Sequence, residues 1–169
     1  MDEDKPRYYI LNAYTYEYLG ESKYLYNKNS SEAWLLTTNW GSQPDKAAEK
    51  FKWVLDTSDP PALDMRVINV ATGRALQETE DTFNDAGDNT VTAMELGSSG
   101  LRCKWFLRNE SDGSYSIRNV YTGHVLGASK KECNARGDHH VMCSQDGKTD
   151  PSLSKWRWYV LSCDASQST

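Results

Sequence analysis

Tyr115-Ser116-Ile117-Arg118-Asn119-Val120-Tyr121-Thr122-Gly123-His124-Val125-Leu126 occurs in this chain three times over. A close copy is Met65-Arg66-Val67-Ile68-Asn69-Val70-Ala71-Thr72-Gly73-Arg74-Ala75-Leu76, and a looser one is Tyr9-Ile10-Leu11-Asn12-Ala13-Tyr14-Thr15-Tyr16-Glu17-Tyr18-Leu19. Each copy is answered downstream by an apolar run around a Trp: Phe51–Leu55, Cys103–Leu107 and Trp156–Val160. The Asn-to-Asn steps are 57 and 50 residues and the steps between Trp53, Trp105 and Trp158 are 52 and 53. Two independent markers keeping one period describe a supersecondary unit copied three times.

Within each copy apolar residues alternate, as in half-buried strands. Ile10, Val67 and Ile117 share a strand face with the repeated Asn, and Thr-Gly in two copies marks a tight turn before Leu76 and Leu126. A third strand is expected 22 residues after each Asn, with Trp34, Val91 and Val141 in equivalent inward positions and Leu36, Ala93 and Cys143 in the same phase. Adding the Trp strand gives four strands per unit and twelve in all. A turn or two of helix is conceivable at Asp45–Lys52, limited by Pro44.

These motifs, Ile-x-Asn-x-x-Thr-Gly-x-x-Leu and the trailing x-Trp-x-Leu strand, resemble the ricin-B-like β-trefoils common among mushroom lectins and inhibitors. The resemblance runs from about Arg7 to Leu161. It implies an all-β trefoil built as a single domain over residues 1–169, with units of about 7–60, 61–112 and 113–163.

Charge and composition narrow the function. The net charge is −5, with Lys and Arg scattered, so no basic stripe points to nucleic acid. No apolar run is long enough for a membrane span. The opening Met-Asp-Glu-Asp-Lys lacks an apolar leader segment, so the expectation is a cytoplasmic protein with its four cysteines as free thiols. In an oxidising compartment Cys133 and Cys143, flanking one loop, are a conceivable pair. The sequons at Asn29 and Asn109 matter only for a secreted chain.

No nucleophile motif, His–Asp spacing or phosphate loop is present, so no enzyme activity and no cofactor are expected. Cys133, His139, His140 and Cys143 lack metal-ligand spacing, and metal binding is not expected. Asn12, Asn69 and Asn119 are read as turn-forming residues and the three Trp residues as core. Arg136-Gly137-Asp138 spells a short adhesion tripeptide that chance alone readily supplies.

The resemblance to ricin-type lectins implies a sugar site made of an Asp after the second-strand Leu, an aromatic near the third strand, and a Gln-x-Trp. Here the Asp positions hold Gly20, Gln77 and Gly127, the Gln positions Phe51, Cys103 and Trp156, and the stacking positions about Thr37, Met94 and Ser144. The expected function is therefore a carbohydrate-binding lectin with a non-standard site. Trp40 has no counterpart in the other units, where Gly97 and Gly147 stand, and with Asn39 and Glu21 it is the first candidate. Asp138, His139 and His140 are the second candidate. The alternative is a protease inhibitor offering a loop at Glu21–Glu32 or Gly41–Glu49. Partners are thus glycans or glycoproteins, or else a protease, with the protein a monomer or homodimer.

Overall fold

A computed structural model describes residues 3–25, 32–38, 49–57, 64–98, 100–134, 137–145 and 153–164. Its twelve strands are β1 (Arg7–Asn12), β2 (Tyr18–Leu25), β3 (Ala33–Thr38), β4 (Lys52–Asp56), β5 (Arg66–Asn69), β6 (Ala75–Thr82), β7 (Asn89–Met94), β8 (Trp105–Asn109), β9 (Tyr115–Asn119), β10 (Val125–Glu132), β11 (His139–Ser144) and β12 (Trp158–Ser162). Short 3-10 turns precede the Trp strands at Glu49–Phe51, Leu101–Cys103 and Leu153–Trp156. Of the helical turn expected at Asp45–Lys52, only Glu49–Phe51 falls within the described residues and is helical. Among the described residues no helix is long and apolar enough to cross a membrane.

Six strands close on themselves. Antiparallel pairs run β1–β4, β4–β5, β8–β9, β9–β12 and β12–β1, and the bridge Met65–Trp105 completes the ring between β5 and β8. Closure removes the unpaired edges that an open sheet would expose. The hairpins β2–β3, β6–β7 and β10–β11 lie over this barrel, and β3, β7 and β11 pair with one another.

The core explains the repeated residues. Trp53, Trp105 and Trp158 are fully buried, and each indole N–H donates to a second-strand carbonyl, of Leu19, Leu76 and Leu126, at 2.9, 2.9 and 3.0 Å. A buried indole keeps its polar edge satisfied this way. Asn12, Asn69 and Asn119 are also fully buried. Each donates its amide to the carbonyl before a Trp strand (Lys155, Lys50 and Arg102) and accepts from a backbone N–H of its own turn. The asparagines thus tie each turn to the neighbouring Trp segment, in keeping with their expected structural role.

One expectation needs correcting. Glu21 pairs with Leu35 and Leu19 with Thr37, whereas Glu78 pairs with Val91 and Leu76 with Ala93. The β2–β3 connection is therefore one residue longer than its counterparts, and Leu35, not Trp34, is the equivalent of Val91 and Val141. A shift of one residue turns every side chain of a strand to the opposite face. Ala33, Leu35 and Thr37 point inward, and Trp34 leaves the core.

Candidate functional site

The positions that hold sugar in ricin-type lectins are built over in two places. A Cβ on Gly20 would stand 2.3 Å from the ring of Phe51, and one on Gly127 would stand 2.3 Å from the ring of Trp156. Glycine is required at both because an aromatic ring occupies the space where an Asp side chain would project. At the remaining position the corresponding residues are Gln77 and the small Cys103, whose thiol donates to the Gly100 carbonyl at 2.8 Å. Beside it an open cleft of about 500 Å³ is flanked by Thr79, Arg102 and Tyr121.

A better-formed pocket lies elsewhere. It measures about 380 Å³ and is bordered by Trp34 and Leu36 of β3, Tyr24 and Ser22 of β2, and Lys50. Cys133, Asn134 and His140 close it from the β10–β11 side. His140 meets Trp34 edge-on at 6.0 Å between ring centres and Phe83 at 5.3 Å. Burial, then the positive charges of Lys131 and His139, pulls the His140 imidazole below its ordinary value, so the ring is neutral at pH 7 with one donor and one acceptor nitrogen. Tyr24 is 66% exposed at the mouth. An aromatic wall with a hydroxyl, an amide, an imidazole and an ammonium around it can hold a small polyhydroxylated ligand.

Of the six residues expected from sequence, His140 lines this pocket. Asn39 and Trp40 lie outside the described residues, as do Arg136 and most of the two loops considered for an inhibitor. Glu21 is 3% exposed and is an internal anchor, not a surface ligand: it accepts from Thr72 at 2.6 Å and pairs with Arg74 at 2.5 Å. Asp138 is likewise buried, accepting from the Thr38 hydroxyl and from the Asn134 amide at 2.7 Å. His139 is held by Glu17 at 2.8 Å. Spacing from Asn12 puts Trp34 in the core phase and so hides it as a site residue, and Tyr24 carries no repeat marker. The doubled Leu35-Leu36 after Trp34 was the available sign that either face of β3 could point inward.

The polar anchors follow a pattern with one exception. Glu21 and Glu78, paired in register with Leu35 and Val91, each reach the turn of the next repeat: Glu21 to Thr72 and Arg74, Glu78 to Thr122 at 2.5 Å and to His124. Ala128 takes the third such place, opposite Val141. There the acid has moved to the turn, as Glu17, and the base to β11, as His139.

Comparison with known proteins agrees with this architecture. A family model described as ricin-type beta-trefoil lectin domain-like matches residues 49–139, more than half the chain. The chain belongs to that family. No curated protein matches it in sequence. Among solved structures it is similar to the SDF2-like protein from Arabidopsis thaliana, at a TM-score of 0.74 and 12% identity over 92% of each chain. It is similar also to a Culex quiquefasciatus salivary protein of the Cysteine and Tryptophan-Rich family, at 0.68 and 18% over 96% of each. The designed threefold-symmetric protein ThreeFoil matches at 0.66 and 15%, over 92% of this chain and 97% of that one. At these identities the likeness to solved structures establishes the fold alone.

Proposed function

We propose that this ricin-type trefoil is a non-catalytic carbohydrate-binding protein whose site is the Trp34–Tyr24–His140 pocket. The observation that carries this reading is the release of Trp34 from the core by the one-residue register difference, onto a face where it meets His140 and an open cavity. An indole face covers the apolar C–H surface of a pyranose, while Asn134, Ser22 and a neutral His140 can exchange hydrogen bonds with hydroxyls, which both donate and accept. The filled positions at Gly20 and Gly127 support a site that differs from the usual one. We further read the chain as one domain of three four-stranded units, about 7–60, 61–112 and 113–163, on the strength of the recurring Trp-to-Leu bonds. Cytoplasmic residence is proposed with it, in line with four cysteines that form no disulfide in the structure.

The test is a glycan array followed by titration of a Trp34→Ala variant whose fold is first verified by circular dichroism. Binding should fall about tenfold or more, the equivalent of roughly 1.4 kcal/mol. A protease panel run in parallel provides the contrary result: an empty array with tight inhibition of a protease would replace the lectin reading.

A further inference from the structure

Tyr16 stands in the left-handed region at φ 55°, where no other non-glycine residue does among those described. The matching turns of the other repeats place Gly73 and Gly123 there, at φ 72° and 76°. A bulky L-residue is disfavoured in that conformation because its Cβ crowds the following carbonyl. Burial of the ring could offset this, but the residue is 67% exposed. Neither the backbone nor the core accounts for a tyrosine at this position.

Its surroundings supply an account. Tyr16 and Tyr159 flank a cleft of about 510 Å³ that also receives Ser111, Asp112, Glu110 and Arg157. Glu110 is held between Arg108 at 3.4 Å and Arg157 at 3.2 Å, which fixes the Arg157 guanidinium while leaving other N–H groups to donate. Asp112 accepts both the backbone N–H and the hydroxyl of Ser114 through one oxygen, at 3.0 and 2.5 Å, and a carboxylate has further lone pairs with which to meet a ligand. Those bonds also hold its carboxyl below the ordinary range, keeping it ionised. The cleft shares no residue with the Trp34 pocket.

We infer that the Tyr16–Tyr159 cleft is a second ligand site, which takes a neutral pyranose. Tyr16 stacks on the ring, Asp112 accepts from neighbouring hydroxyls and Arg157 donates to them. The Asp112 carboxylate in the cleft disfavours sialylated or sulfated sugars. The inference rests on the carbohydrate-binding reading only for the class of ligand. With two sites on separate elements, the protein would cross-link glycan-bearing surfaces, and avidity would exceed the affinity of either site.

The decisive variant is Tyr16→Gly, with Asp112→Asn as a second and Trp34→Ala as the comparison, each probed on one array of neutral and acidic glycans and by calorimetric titration of the best neutral binder. Tyr16→Gly should unfold at a denaturant midpoint no lower than the parent, because glycine suits the turn. It should also lose at least tenfold in affinity for a set of neutral glycans that Trp34→Ala still binds. Calorimetry on the parent should give a stoichiometry near two. If Tyr16→Gly and Asp112→Asn bind every glycan as the parent does while Trp34→Ala loses them all, the second site is overturned and the first stands. An empty array overturns both. A lowered midpoint for Tyr16→Gly would assign the tyrosine to the fold and overturn the inference.

Discussion

Phe51 lies flat against Gly20, its Cε1 occupying the point 2.3 Å from where a Cβ would be. The ring is 1% exposed, so it has no free direction in which to yield. Installing the sugar-binding Asp of ricin-type lectins at this glycine is therefore expected to break the packing without creating a site. Gly20→Asp should cost about 1–3 kcal/mol from overpacking, and more from burying a charge. Gln77→Asp, where the small Cys103 corresponds to Phe51, should cost well under about 1 kcal/mol. Urea midpoints of the two variants give the comparison. Equal midpoints would show that Phe51 swings aside.

The His140 proton should leave below the ordinary imidazole value of 6.5, because the ring is half-buried and feels the positive charges of Lys131 and His139. The sign follows from linkage. A depressed folded-state value means that the neutral ring favours the fold, so its contribution is present above 6.5 and is lost as pH falls through the depressed value. Ring-proton NMR should show the His140 resonance titrating below 6.5, with Trp34 emission quenched over the same interval by the charged ring 6.0 Å away. A midpoint above 6.5 would contradict the pocket as described.

Glu17 titrates in the other direction. Desolvation raises its carboxyl above 4.5, while the hydrogen bond and charge of His139 oppose that rise. A raised value means that this group's stability contribution is full below the unfolded value and lost as pH climbs through the folded one. His139→Ala removes the opposing interactions, so the Glu17 midpoint should rise further. Carboxyl-carbon NMR on parent and variant reads this directly, and an unmoved Glu17 would show that the ion pair is not formed.

Thiol chemistry should divide the cysteines into two pairs. Cys103 and Cys143 are fully buried, and burial holds the Cys143 thiol well above its usual range. Cys133 and Cys163 are half-buried. The native protein should react at two thiols and the denatured protein at four. Peptide mapping that finds Cys133 joined to Cys143 would refute both the assignment and the proposed cytoplasmic residence.

Sequence disclosed the fold more readily than the site, for reasons visible in particular residues. Trp53, Trp105 and Trp158 sit in the same phase of the same strand three times, and repetition corrects for local ambiguity. Trp34 lacked that protection. The one additional residue between Glu21 and Leu35 falls between Leu25 and Ala33, because Glu21 to Leu25 matches Glu78 to Thr82 in length, and spacing from Asn12 alone cannot locate it. Glu21, Asp138 and His139 show the converse: a polar residue in a loop-rich stretch suggests a ligand, yet the partners that consume these three (Arg74, Thr38 and Glu17) are 53, 100 and 122 residues away. His140 differs from its neighbour by one position and hence by one face of β11.

The seam where β1 meets β12, with Tyr8 opposite Ser162 and Asn12 opposite Trp158, joins the earliest strand of the chain to the latest. During synthesis β1 can find β4, but its other edge waits until β12 emerges from the ribosome. The barrel thus cannot close as a growing chain, and loop-closure entropy is met in one late step. A strand edge held open that long invites pairing between nascent neighbours on one messenger. A permuted gene that begins between β4 and β5 would bring β1 and β12 into the middle of the chain, where they could pair as a hairpin before synthesis ends.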